Sequence, residues 1–131
     1  MKRISFNSQF VNEAGNDLIP GKIHTIRQNY EYWKKFEGKE LALFTWEGKP
    51  YQKGSKQKVF CVKRLISVQE VYMNYYNLFF KSREDCINGN EITGDHLAEN
   101  DGFEKWSDCV KWFCDYPPGE LAILHFTDFR Y

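Results

Sequence analysis

The chain has no excess of either charge, no apolar run long enough to cross a bilayer and no closely spaced pair of cysteines. Its 18 Lys and Arg are matched by 18 Asp and Glu. A protein that coats nucleic acid non-specifically carries a clear basic surplus, so the balance argues against that class. A small basic pocket remains open to it, because net charge says nothing about local placement. No stretch approaches the roughly 18 apolar residues that a membrane helix requires. Met1, Lys2 and Arg3 bring positive charge, but Ile4-Ser5-Phe6-Asn7 is no apolar run, so the segment does not read as a signal peptide. These absences predict a soluble, cytoplasmic protein without a membrane partner. Cys61, Cys86, Cys109 and Cys114 lack the density of a disulfide-stapled secreted scaffold. None forms a CxxC, and the three histidines share no spacing, so neither a metal nor a cofactor is expected. Repeats, low-complexity tracts and linker-like boundaries are missing too, which predicts a single domain over residues 1–131.

What the chain does have is aromatic residues, 18% of the total within a hydrophobic fraction of 42%. A chain of 131 residues can bury one core without staples, and this core should be aromatic-rich. The stretch with most chemistry is Pro20-Gly21-Lys22-Ile23-His24-Thr25-Ile26-Arg27. Pro20 fixes its own φ and Gly21 accepts angles that other residues avoid, so it opens in a turn. The β-branched Ile23, Thr25 and Ile26 then favour a strand. Alternation puts Thr25 and Arg27 on one face, about 6.6 Å apart along the chain, and His24 and Ile26 on the other. Lys22, at the turn, has a stem long enough to swing to the Thr25 side. A hydroxyl between two cations is a grip for a phosphate, a carbonyl oxygen or a carboxylate. The plainer alternative is a solvated Lys and Arg at a strand end and a Thr chosen for its β-branch.

Around this stretch the pattern predicts a short strand over 4–6, a turn of helix or irregular link over 9–11, and a polar loop over 12–17. Tyr32, Trp33 and Phe36 fit a short helix closed by Gly38, their rings either core or a surface for stacking bases. Glu40 to Trp46 and Lys58 to Lys63 read as strands. Between them lie the turn Glu47-Gly48-Lys49-Pro50 and a basic loop over 53–56. Leu65 to Tyr72 continues or bends into another strand, Tyr75 to Phe80 reads as one more, and 81–90 as a polar loop. Thr93 is placed to cap a short helix ended by Gly102. Ser107 is placed to cap a second, with Trp106, Val110, Phe113 and Cys114 as its apolar stripe. Pro117-Pro118-Gly119 breaks that helix, and Glu120 to Phe129 closes the chain as a long strand. Strands outnumber helices without regular βα alternation. The expected class is mainly β (α+β), a small, partly closed β-barrel with peripheral short helices.

Three places give the sequence a family resemblance. Gly21-Lys22-Ile23-His24-Thr25-Ile26-Arg27 is similar to the early G-x-K-x-x-T-x-R type element of the ASCH domain family, although here the Gly directly precedes the Lys. Ala98-Glu99-Asn100-Asp101-Gly102-Phe103 resembles that family's late acidic-Gly-Phe element after a short helix. The closing strand, Leu121 to Phe126, follows a helix rich in Trp and Phe. The resemblance implies a PUA-like β-barrel and an RNA-linked function. Some members hydrolyse N(4)-acetylcytidine to cytidine and acetate, and motif position then carries the catalytic roles to Lys22, Thr25 and Asp101. Gly21, Arg27 and Glu99 become the ligand-binding candidates. The late position is more typically Glu, and a carboxylate moved by more than about 1 Å can cost about a hundredfold in rate.

The chemistry of these residues is coherent. A Thr25 hydroxyl is a weak nucleophile and needs a base. Lys22 can serve if burial and Arg27 push its pKa towards neutrality. Asp101 can orient Lys22 or handle the proton on the leaving amine, and Arg27 can steady an oxyanion. The same four groups equally make a pocket that only binds RNA or a nucleoside-type small molecule, and Asn100-Asp101-Gly102 can merely end a helix. His24, His96 and His125 read as core or supporting groups. Lys49, Lys53, Lys56 and Lys58 would be the basic track for an RNA strand. The oligomeric state is left open by the sequence.

Overall fold

The strand that closes the chain lies inside the larger sheet, with a neighbour on either side, and that placement explains its composition. A computed structural model describes residues 1–74, 79–82, 91–92, 94–113 and 119–131. Its strands are β1 (Lys2–Ser5), β2 (His24–Arg27), β3 (Glu40–Glu47), β4 (Lys56–Arg64), β5 (Ser67–Asn74), β6 (Phe79–Ser82), β7 (Glu91–Ile92) and β8 (Gly119–His125). Its helices are α1 (Tyr30–Lys34), α2 (Gly94–Asn100) and α3 (Trp106–Phe113), with a 3₁₀ turn at Ser8–Phe10. The fold is a small α+β one, mostly sheet with a few short helices. No helix among the described residues is long and apolar enough to cross a membrane.

Five strands run in the order β2-β8-β5-β6-β7 and three in the order β1-β3-β4. With β2 on one side and β5 on the other, β8 buries Leu121 to His125 without a break. Near-continuous apolar character is what a strand covered on both faces requires. It ends at His125, before the expected Phe129, because Thr127 Oγ1 accepts from the Phe129 N–H at 3.2 Å and turns the chain. In the smaller sheet β3 is central, parallel to β1 and antiparallel to β4, and Leu41 to Phe44 are buried. In the edge strand β4 only Phe60 is buried, where the register with β3 shifts between Leu43 and Phe44, and the strand's lysines guard the open edge.

The expected barrel is not closed among the described residues. The chain leaves the small sheet at Leu65, whose N–H binds the Lys39 carbonyl, and joins the large one at Ile66, whose N–H binds the His125 carbonyl. This two-residue crossing divides the strands into two sheets rather than one ring. Leu41, Leu43, Leu65, Leu97, Leu121, Ile123 and Leu124 are all fully buried and belong to one apolar cluster.

Two helix expectations shift. Ser107 lies inside α3 and is not its cap, since the Asp108 and Cys109 N–H groups already bond the Lys105 carbonyl. The buried edge of α3 is Cys109 and Phe113, four residues apart, with Trp106 and Val110 half-buried beside them. In α1 no residue is fully buried: Tyr32, Trp33 and Phe36 pack edge to face or tilted around the Lys2 ammonium, 4.9 Å above the Tyr32 ring. The Thr93 cap, Cys86, Cys114, Pro117, Pro118 and most of the loop over 81–90 fall outside the described residues, as do positions 75–78 of the strand expected at Tyr75 to Phe80.

Candidate functional site

The turn expected at Pro20-Gly21 sets the first half of the site. Gly21 has φ +89°, and the Lys22 N–H bonds the Ile19 carbonyl at 3.2 Å. A non-glycine side chain is strained in that left-handed region. The next N–H, from Ile23, bonds the Asn100 carbonyl at 2.8 Å, which ties the start of β2 to the end of α2. The second half comes from that helix end. The Asp101 N–H bonds the carbonyls of Leu97 and Ala98, so its side chain is delivered against Lys22.

Strand alternation then distributes the groups. Thr25 and Arg27 share a face, and Arg27 Nε donates to Thr25 Oγ1 at 3.4 Å. Arg27 also donates through Nη2 to the Ser5 carbonyl, with its guanidinium over the Phe6 ring at 5.0 Å. Lys22 and His24 share the other direction and converge on one carboxylate. Lys22 Nζ lies 3.1 Å from Asp101 Oδ1 and donates to the Asp101 carbonyl at 2.6 Å. His24 Nδ1 lies 3.2 Å from the same Oδ1. The side chains of Lys22 and Asp101 are only 1% and 4% exposed.

Lys22, Thr25, Arg27 and Asp101 line one cleft of about 530 Å³. Aromatic rings supply much of the wall, with Phe6 and Phe10 inside and Trp46, Tyr51 and Trp112 also contributing. The Lys22 ammonium sits 4.5 Å over the Phe10 ring. Trp46 and Tyr51 rest on each other at 5.0 Å, and Tyr51 is 90% exposed on the loop after β3. Gly102, at φ +91°, packs against the Lys22 stem: a Cβ there would lie 3.0 Å from Lys22 Cδ and 3.2 Å from Phe10 Cδ1.

Gly21 and Glu99 stand apart from the other four. Both are exposed and line a separate, shallower depression together with Asn100 and Gly102. Among the described residues no group of three or more His, Cys, Asp or Glu is placed to hold a metal ion.

Burial governs the protonation chemistry. Loss of water pushes the Lys22 amine below its ordinary value; the Asp101 charge opposes this, and Arg27 adds to it. Burial also pushes His24 down, against the hydrogen bond to Asp101. The hydrogen positions follow from the partners. Asp101 Oδ1 can only accept, so the hydrogen of a neutral His24 belongs on Nδ1, and Nε2 is left to accept from the Tyr131 hydroxyl at 2.6 Å, which itself accepts from Asn100 Nδ2 at 3.0 Å. His24 is therefore the neutral tautomer with its hydrogen on Nδ1, facing Asp101. The arrangement offers a desolvated amine, a hydroxyl beside a guanidinium and a carboxylate that steers the amine, all at one cleft.

The sequence reads His24 as a core or supporting group, and the structure buries it against Asp101, the carboxylate that holds Lys22. Its contact with Asp101 had no local signal, because Lys22 lies outside β2 and strand alternation says nothing of a carboxylate 77 positions away. Nothing local marked Tyr131, which lies 107 positions from His24. Comparison with protein-family models, curated proteins and solved structures returns no match.

Proposed function

We propose that the cleft binds a nucleoside-type small molecule bearing an N-acylated base and hydrolyses the amide, as the resemblance to the ASCH family implies, with the two sheets standing in for its PUA-like barrel. The observation that carries this reading is the Lys22–Asp101 pair at the cleft, under 5% exposed in both side chains. A lysine meant to hold a phosphate presents its charge to the ligand. Here the charge is already met by a carboxylate, and the amine is held where losing a proton is eased by desolvation.

In this reading Thr25 Oγ1 attacks the acyl carbon while its proton passes to the Lys22 amine. The carbonyl electrons move onto oxygen, where the Arg27 guanidinium beside Thr25 offsets the charge. Collapse breaks the C–N bond, and the leaving amine takes the proton back from Lys22. A water molecule, deprotonated by the same amine, then adds to the acyl carbon; the C–Oγ1 bond breaks, the acid leaves and Lys22 returns the proton to Thr25 Oγ1. Asp101 keeps Lys22 aimed throughout. Trp46 and Tyr51 give a flat base a surface to stack on. A free nucleoside of the cytoplasm fits better than a long RNA strand because the chain's charges cancel. One observation favours an RNA-borne base: the loop that carries Tyr51 to the cleft also carries the exposed Lys49 and Lys53.

The test is hydrolysis of a panel of N(4)-acylcytidines by the purified protein, with Lys22→Ala and Thr25→Val as controls. Turnover that disappears in both folded variants is the expected result. Absence of turnover by the folded parent protein on the whole panel sinks the reading for these substrates. Weaker binding of an acylated RNA than of the nucleoside at low salt would remove the RNA alternative.

A further inference from the structure

Behind the cleft lies a buried polar chain that the proposed steps do not use. His24 and Gln69 are both 0% exposed. Tyr131 is fixed to Gln69 through its backbone: Gln69 Nε2 donates to the Tyr131 carbonyl at 2.8 Å, and the Tyr131 N–H donates to Gln69 Oε1 at 3.3 Å. The Tyr131 hydroxyl in turn holds His24 Nε2. His24 Nδ1 and Lys22 Nζ then meet a single oxygen of Asp101, at 3.2 Å and 3.1 Å.

We propose that His24 is a positioning residue: held by Tyr131, it donates its Nδ1 hydrogen to the Asp101 oxygen that also holds Lys22, and so loosens the carboxylate's hold on the Lys22 proton. A hydrogen bond donated to a carboxylate stabilises its charge, and two donors on one oxygen share that charge between them. Without the imidazole N–H, the whole of the Asp101 charge would favour the Lys22 ammonium. A neutral imidazole does this without placing a second cation beside Lys22. Among the described residues the ionisable groups facing Lys22 are Asp101 at the end of α2, Arg27 and His24 on β2, and Cys109 on α3. Those facing His24 are Asp101, Lys22, His125 on β8 and Tyr131. Of all these, only Asp101 draws a proton onto Lys22 by direct contact, and His24 is the other side chain on that same oxygen.

The inference takes its use in catalysis from the amidohydrolase reading, but its effect on Lys22 stands independently of turnover. The test is an NMR titration of the Lys22 side chain in the full chain, with two replacements at one position. The amide of His24→Asn occupies the place of Nδ1 and keeps a donor on Asp101. That of His24→Gln reaches the place of Nε2 and leaves Asp101 without one. His24→Gln should raise the Lys22 midpoint by about one pH unit and His24→Asn by no more than a few tenths. The acid limb of the pH–rate profile for N(4)-acylcytidine hydrolysis should move by the same amounts. Equal Lys22 midpoints in the two folded variants overturn the proposal. A midpoint that moves as expected in a protein without turnover retains the positioning role and removes the amidohydrolase reading. Should His24→Gln not fold, Lys22 in His24→Asn must still titrate as in the parent, and a rise of a full unit there overturns the proposal.

Discussion

Replacing Lys22 with Met removes the ammonium and leaves the Asp101 carboxylate shut in beside the His24 N–H. Water cannot take over the lost contact, because the carboxylate side chain is only 4% exposed. Breaking a buried pair by removing one partner costs about 3–5 kcal/mol. Lys22 also satisfies the Asp101 backbone carbonyl at 2.6 Å, so the upper half of that range, about 4–5 kcal/mol, is the expectation. The Met stem keeps most of the volume against Phe10, so little of the loss comes from a cavity. The double change Lys22→Met/Asp101→Asn contains no buried charge at this point. It should recover enough to give a coupling of about 2–3 kcal/mol, within the range for residues in one network. Urea unfolding followed by tryptophan fluorescence near neutral pH measures all four corners of the cycle. A coupling below about 0.5 kcal/mol, the value of an exposed pair, would refute the claim that Lys22 and Asp101 are shut away from water.

Gly102→Ala places a Cβ 3.0 Å from Lys22 Cδ at a φ of +91°, so both backbone and lysine stem must yield. About 1–2 kcal/mol of stability should be lost, read as a lower thermal midpoint; a midpoint equal to the parent's would show that the close approach is not there. Stability should also fall on the acid side. His24 is pushed below its ordinary value, and burial pushes His125 down to about 3. Both are depressed bases, so the unfolded chain takes up protons that the folded one refuses. The stability they contribute is present above about pH 6.5 and is lost as pH falls towards about 3. Urea midpoints should decline across that window, with a flatter decline in His125→Gln, and a level profile down to about pH 4.5 contradicts the neutral, buried histidines.

The parts legible in the chain are those decided within a few residues. Pro20-Gly21 turns and Ile23 to Arg27 extend because φ restriction and β-branching act on the residue that carries them. The same holds for Leu41 to Phe44 and for Asp101-Gly102 at the end of α2. Alternation along β2 separates Thr25 and Arg27 from His24 before any fold is known. Whether Asp101 reaches Lys22 was not legible in the chain; the structure brings the two together across 79 positions of sequence.

Other features were settled only by the tertiary structure. Whether the strands close into a barrel turned on one crossing at Leu65 and Ile66, where backbone N–H groups choose between carbonyls on two different sheets. Ser107 has the chemistry of a cap, yet the Lys105 carbonyl already serves the first turn of α3. Glu99 and Asp101 are both acidic and two residues apart, but only Asp101 points at Lys22, since the end of the helix turns Glu99 to solvent. The His24–Tyr131–Gln69 chain joins β2, β5 and the last residue of the sequence. Propensity and pattern set which backbone shapes each segment prefers. Which distant polar groups share a dry interior is set by how the two sheets and α2 pack, because only that packing removes the water that would otherwise satisfy each of them separately.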